Sequence, residues 1–164
     1  MKAYILLFGS FCFLVHPLFA QKNVVPVTKS SFTGIQLPSG SKEDKRILST
    51  AAAAMVLEEE AKASGVKIAT AEVLQLPVVQ VSGWGRKEFE GAVRLAGWLI
   101  FPVQNNPAYG WLKRSDAFIF YYYSELHART DLYFGKPDGV PVLSVSDNPS
   151  IADTKPTGTI DQIH

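Results

Sequence analysis

The chain has 164 residues, 47% of them hydrophobic, and its 16 basic residues nearly balance its 15 acidic ones. This length and apolar content suffice for one hydrophobic core. No block of basic residues marks a nucleic-acid or acidic-membrane surface, and the only cysteine, Cys12, excludes a disulfide framework within the chain.

Residues 1–20 have the order of a secretory signal peptide. Lys2 precedes the apolar run AYILLFGSFCFLV, and HPLFA then leads to the small residue Ala20. The run is shorter than the roughly 20 apolar residues that a membrane-spanning helix needs. We therefore expect cleavage after Ala20 and a secreted or periplasmic protein with no transmembrane anchor, whose mature chain lacks Cys12.

Residues 21–40 contain two prolines and two glycines and are expected to form a lead-in segment with one edge strand. A single domain is predicted over residues 41–146. It begins with a long helix over residues 42–63, capped by Ser41 and stopped by Gly65. Apolar residues at three- and four-residue steps predict the face of the helix that packs on the core. These residues are Ile47, Leu48, Ala51, Ala52, Met55 and Val56.

The alanine run 51–54 has two interpretations. Alanine favours helix and lets a helix lie close to a sheet, so packing explains the run without any function. The alternative is a flat helix face that dimerises.

The next elements follow from β-branched runs and glycine stops. Residues 66–81 predict a strand that is bent or broken at Pro77, because proline lacks the donor that a central strand requires. A short second helix is predicted over residues 86–96, followed by β structure from Trp98 and a turn at residues 104–107. Each of the three tryptophans lies beside a glycine, which favours packing at the junctions between elements. The alternative is an aromatic platform for a sugar or peptide, which would require two of the rings to stay exposed.

The stretch FIFYYYSELHARTDLYF predicts one or two strands. Alternation separates Tyr121 and Tyr123 from Tyr122 in the first half, and it puts His127, Arg129, Asp131 and Tyr133 on one face in the second. No tight-turn signal lies at residues 124–125, so a hairpin and a single bulged strand both remain open. A later Asp-Gly turn predicts a strand over residues 140–145, and residues 147–164 are expected to be poorly ordered.

Polar and aromatic side chains on that second half form the candidate site. The site consists of Tyr121, Tyr123, His127, Arg129, Asp131 and Tyr133, with the first two supplied by the neighbouring strand. A solvated sheet face explains the pattern without function. A protein-binding face also explains it, since tyrosine, arginine and histidine combine rigid contact area with hydrogen-bonding ends.

Enzymatic sites have weaker support in the sequence. A hydrolase would have to use His127 with a nucleophile such as Ser124, but no Gly-x-Ser-x-Gly elbow is present. With few histidines and no mature cysteine, no metal site is expected, and no phosphate-binding or dinucleotide motif predicts a cofactor.

The predicted fold is therefore α+β: a long N-terminal helix on a mostly antiparallel sheet of four to six strands, possibly curved, with a short second helix. The expected function is that of an exported, non-enzymatic binding protein, such as an inhibitor, immunity-type or envelope accessory protein. Its partner would be another protein in the envelope or outside the cell, bound on the tyrosine-rich sheet face. The alternative is a cone-shaped α+β protein with a small-ligand pocket or hydrolase site that uses His127.

Overall fold

A computed structural model describes residues 23–103, 106–126 and 129–143. The predicted signal peptide, the predicted tail and His127 lie outside these ranges.

Seven strands form one antiparallel sheet with the spatial order β1-β2-β3-β7-β6-β5-β4, and the sheet does not close into a barrel. The strands are β1 (Val24–Pro26), β2 (Lys42–Asp44), β3 (Ile68–Leu76), β4 (Leu99–Val103), β5 (Asn106–Arg114), β6 (Ala117–Leu126) and β7 (Arg129–Pro137). The helices are α1 (Ile47–Ala61), extended by a 3-10 turn at Lys62–Ser64, α2 (Val79–Ser82) and α3 (Arg86–Leu95). The predicted α+β class is confirmed. The sheet has one strand more than the expected maximum of six because residues 42–44, predicted as helix, form β2 between β1 and β3.

Several local predictions are confirmed. The strand before Pro77 ends at Leu76, and the short second helix forms as α3. The chain turns out of α1 at Gly65, whose φ of 73° is a left-handed conformation that glycine adopts freely. β6 and β7 pair along their length as a hairpin, so the single bulged strand is ruled out.

The start of the long helix was predicted wrongly. Residues 42–44 form β2, hydrogen-bonded between β1 and β3, and α1 begins only at Ile47. Ser41 does not cap the helix, since its hydroxyl donates to the carbonyl of Pro38 at 2.7 Å. Pairing with two strands satisfies the backbone of residues 42–44, and this outweighs the local preference for helix.

The predicted buried face of α1 is also wrong. The helix packs on the sheet through Ala53, Leu57 and Ala61. Met55 and Leu48, which the spacing placed in the core, are 74% and 84% exposed. Apolar residues occur on both sides of this helix, so their spacing does not identify one buried side.

The two faces of the sheet carry different layers. One face, here called the α3 face, packs against α3 and residues 27–37 around a core that includes Leu74, Phe89 and Leu132. The other face, the α1 face, packs under α1 through Leu57, Trp111 and Phe120. The predicted lead-in segment therefore belongs to the folded domain, with Ile35 buried in the α3-face core.

A buried carboxylate holds the lead-in segment against the sheet. Glu72 on β3 accepts hydrogen bonds from the Ser30 hydroxyl at 2.6 Å, from the Ser31 N–H at 2.7 Å and from the Ser31 hydroxyl at 2.9 Å. These three donors replace the water that the carboxylate loses on burial, which makes the contact a fixed point for the loop.

After β7 the chain does not form the predicted last strand within the described residues. Residues 140–143 have no strand pairing, and Val142 N–H instead donates to the carbonyl of Ser64. Trp98 and Trp111 are buried and Trp84 is half-buried, which agrees with junction packing. Among the described residues, no helix combines the length and apolar character needed to cross a bilayer.

Candidate functional site

Three tyrosines lie side by side on the α1 face, one on each of three adjacent strands. The sheet register places Tyr109 of β5 opposite Tyr122 of β6, and Tyr122 opposite Tyr133 of β7. Their ring centroids are 4.8 Å and 5.2 Å apart. We call this set the tyrosine row. All three side chains are half-buried, so each presents part of its ring to solvent.

Beside the tyrosine row, α1 packs closely on the sheet over the neighbouring pair Gly135 and Phe120. Gly135 of β7 and Phe120 of β6 form a cross-strand pair two residues away from the Tyr133–Tyr122 pair. A Cβ at Gly135 would lie 3.0 Å from a methyl of Leu57 on α1. The absence of a side chain at Gly135 therefore allows α1 to lie close to the sheet at this pair. At the next residue pair Tyr122 and Tyr133 are half-buried, and Tyr133 and α1 line the same cleft.

A cleft of about 240 Å³ lies between α1 and the β2, β3 and β7 side of the sheet, and Tyr133 lines it. We call this the α1 cleft. Its polar lining consists of Asp44, Arg46, Ser49, Gln75, Arg129 and Asp131, and Ala52, Ala53, Val56 and Val73 supply the apolar lining.

Two arginine–aspartate pairs contribute to the α1 cleft. Arg46 Nε donates to both carboxylate oxygens of Asp44, at 2.9 Å and 3.0 Å. Arg129 Nε lies 2.9 Å and 3.2 Å from the two oxygens of Asp131. The aspartate side chains are only 2% and 6% exposed, whereas the arginine side chains are 47% and 53% exposed. Each pair thus consists of a half-exposed arginine and a buried carboxylate.

The local electrostatics follow from these contacts. The hydrogen bond from Arg46 holds the pKa of Asp44 below its usual value, with burial acting in the opposite direction. Burial raises the pKa of Tyr133, and the negative charge of Asp131 adds to that rise. At neutral pH, Tyr133 is therefore a neutral hydroxyl beside ionised pairs, able to donate or accept a hydrogen bond.

Tyr121 and Tyr123 do not belong to this surface, contrary to the predicted set. Both are buried on the α3 face, where the Tyr123 ring stacks on Phe89 with centroids 5.0 Å apart. The Tyr123 hydroxyl donates to Glu125 at 2.9 Å, and Arg86 donates to the Tyr121 hydroxyl at 3.0 Å. Burial raises the pKa of Tyr123, and the hydrogen bond to Glu125 raises it further.

Tyr121 also explains a glycine on β5. A Cβ at Gly110 would lie 2.6 Å from a ring carbon of Tyr121 and 2.7 Å from its hydroxyl. The tyrosine ring thus occupies the space that any other side chain at Gly110 would need. Tyr121 is a core residue, fixed by this contact and by Arg86.

The structure brings together three of the predicted site residues, Arg129, Asp131 and Tyr133, along one face of β7. His127 lies outside the described residues. Sequence reasoning missed Tyr109 and Tyr122. Alternation already separated Tyr122 from Tyr121, but only the hairpin register places Tyr122 opposite Tyr133.

No cluster of three or more His, Cys, Asp or Glu side chains within the described ranges is arranged to hold a metal ion. No family model, curated protein or solved structure matches this chain.

Proposed function

We propose that this protein is an exported, non-enzymatic binding protein that docks a protein partner on the tyrosine row and the adjoining α1 cleft. Export is proposed from the charged, apolar and small-residue order of residues 1–20. The observation that carries the binding role is the row of three half-exposed tyrosines in mutual contact.

The row has the properties that make tyrosine common in protein interfaces. A ring held between two neighbours has little conformational freedom left to lose on binding. Each ring also offers apolar area with a hydroxyl at its end, so it tolerates both the exposed and the bound state. Burial keeps the hydroxyls of Tyr109 and Tyr133 protonated by raising their pKa values.

The arginines beside the row add directional donors. Arg46 donates from Nε and one Nη to the buried Asp44, and Arg129 donates from Nε to the buried Asp131. Both arginine side chains are about half exposed. Arginine and tyrosine are the residue types most often found as energetic hot spots. The partner surface that fits is a flat apolar patch bordered by carbonyl or carboxylate oxygens, which the arginine N–H groups can bind.

The test compares capture by the wild-type protein and by a Tyr122→Ala/Tyr133→Ala variant. The tagged protein is incubated with an extract of its own cell envelope, and the captured protein is identified and then titrated. Truncating a central tyrosine typically costs about 2 kcal/mol or more, which is about thirtyfold in affinity. The double variant should therefore bind at least about thirtyfold more weakly, and roughly 900-fold more weakly where the two losses add.

Phe32→Ala is the matched control, because Phe32 is a half-buried aromatic residue in the segment that packs on the opposite face of the sheet. Its affinity for the partner should equal that of the wild type. A partner that binds the tyrosine variant with unchanged affinity would show that the row is only a solvated sheet face. Equal losses in both variants would place the binding surface elsewhere or indicate general unfolding.

A further inference from the structure

Glu60 of α1 lies near one end of the tyrosine row. It is half-buried, and its Oε2 accepts a hydrogen bond from the side-chain amide of Asn106 at 3.4 Å. Asn106 begins β5, the strand that carries Tyr109. Burial is the main cause of the raised pKa of Tyr109, and the negative charge of Glu60 adds to the rise. The Glu60 carboxylate is therefore close enough to the Tyr109 hydroxyl to act on it electrostatically.

No cation offsets the charge of Glu60 within the described ranges. Glu60 forms no ion pair with a lysine or arginine there, and Asn106 is a neutral donor. The second carboxylate oxygen, Oε1, has no hydrogen-bond donor among the same residues. By contrast, each aspartate at the Tyr133 end of the row is held by an arginine. A partner that displaces water from Glu60 must therefore supply a cationic donor in its place.

The ring of Tyr109 adds a second attraction for a cation. The ring is fixed by its neighbours, with centroids 4.8 Å from Tyr122 and 6.1 Å from Phe120, and Tyr109 is only half-buried. The face of an aromatic ring carries partial negative charge and attracts ammonium and guanidinium groups. A guanidinium group suits both neighbours at once, since it stacks on a ring and donates N–H groups to a carboxylate.

The protein holds one of its own arginines in such surroundings. On the α3 face, the guanidinium carbon of Arg86 lies 5.5 Å from the centroid of the Tyr121 ring, and Arg86 Nε donates to Glu90 at 2.8 Å. At the Tyr109 end of the row a tyrosine and a glutamate are again close together. No arginine of the described ranges stacks on Tyr109.

We infer that Glu60 and Tyr109 form a subsite for one arginine side chain of the protein partner. The guanidinium group stacks on the exposed part of the Tyr109 ring and donates to Oε1 of Glu60. This inference rests on the proposed function, because it names the partner group that binds at one end of the tyrosine row.

The two ends of the row then select the direction in which the partner binds. The Tyr133 end carries the half-exposed Arg46 and Arg129, which disfavour a second cation. The Tyr109 end carries the carboxylate of Glu60, which disfavours an acidic group. The partner arginine therefore lies over β5, and the carbonyl or carboxylate oxygens of the partner lie toward β7.

Two small probes test the subsite without the partner. N-acetyl-arginine methylamide carries the guanidinium group, and N-acetyl-citrulline methylamide replaces it with a neutral urea of nearly the same shape. Nuclear magnetic resonance titration of the isotope-labelled protein, as its own cell leaves it, follows the Asn106 amide and the Tyr109 ring. The arginine probe should shift both signals in a saturable way, and the citrulline probe should bind at least about tenfold more weakly.

Glu60→Gln removes the charge and keeps an oxygen that accepts from Asn106. It should weaken binding of the arginine probe about tenfold. Glu59→Gln is the matched control, because it removes the same charge from the adjacent, exposed position of α1. It should leave the affinity for the arginine probe unchanged, and thermal melts should confirm that both variants are folded.

Equal binding of the two probes overturns the inference, as does an arginine probe that produces no saturable shift. It is also overturned if Glu60→Gln binds the arginine probe as tightly as the wild type does, or if Glu59→Gln loses as much affinity. The captured partner separates this inference from the proposed function. A partner that is weakened by Tyr122→Ala/Tyr133→Ala but not by Glu60→Gln overturns the subsite alone. Selective binding of the arginine probe, with a partner insensitive to the tyrosine substitutions, supports the subsite and overturns the proposed function.

Discussion

Leu57→Ala tests which side of α1 holds the helix on the sheet. Leu57 is fully buried, and one of its methyl groups lies over Gly135 of β7, beside Ile68. Gly135 has no side chain that could move into the space left by the substitution. The helix rests on the sheet through the small Ala53 and Ala61 on either side, so it can settle only part of the way into the gap.

Leucine-to-alanine substitutions in buried sites cost about 2.7 to 5 kcal/mol, depending on how far the site collapses. Partial settling of α1 places Leu57→Ala near the lower end, at about 3 kcal/mol. For a domain of this size that loss corresponds to roughly 10 °C in melting temperature. Urea and thermal unfolding followed by circular dichroism measure both quantities.

Leu48→Ala is the matched control, with the same residue change on the same helix at a site that is 84% exposed. Its effect should lie within about 0.5 kcal/mol of zero. The orientation of α1 would be refuted if Leu57→Ala cost less than about 1 kcal/mol, or if Leu48→Ala cost as much as Leu57→Ala.

Three further outcomes are expected. Gly110→Ala should destabilise the fold by about 2 to 3 kcal/mol, because the added methyl group overpacks against Tyr121. Gly91→Ala on α3 should stabilise the fold by about 0.5 to 1 kcal/mol, since an added Cβ there meets nothing within 4 Å. Chemical denaturation of both variants checks this contrast. Glu72→Ala should cost about 3 kcal/mol because it leaves the buried Ser30 hydroxyl and the Ser31 N–H without their acceptor. Hydrogen exchange should then rise throughout residues 28–36, and unchanged exchange would argue against Glu72 as the anchor of this segment. Because burial raises the pKa of Tyr123, the folded chain holds that proton more tightly than the unfolded chain; stability is therefore intact below the unfolded pKa of about 10 and falls as the pH rises above it. Tyr123→Phe should make that fall shallower in urea titrations at about pH 9 and pH 11, and an equally steep fall would contradict the assignment.

The sequence by itself determined the elements whose signals are local. Pro77 ends β3 because it has no N–H to donate, and Gly65 provides the left-handed turn after α1. Spacing and a glycine stop were enough for α3, and alternation separated Tyr122 from Tyr121 and Tyr123. These features depend on the chemistry of single residues or of neighbours a few positions apart.

Tertiary structure alone decided which surfaces those elements present. Helical spacing identifies a buried side only when the other side is polar, and α1 has Leu57 on one side and Leu48 and Met55 on the other. Residues 42–44 became a strand because two distant strands supply their hydrogen bonds.

The tyrosine row likewise depends on long-range register. Alternation assigns each tyrosine to one of two faces of its own strand, but it does not say which face of one strand continues onto the next. The hairpin register puts Tyr122 beside Tyr133, and the β5–β6 register adds Tyr109 from farther along the chain. A shift of one residue in either pairing would turn a tyrosine to the opposite face, so the candidate site exists only through backbone hydrogen bonds between strands.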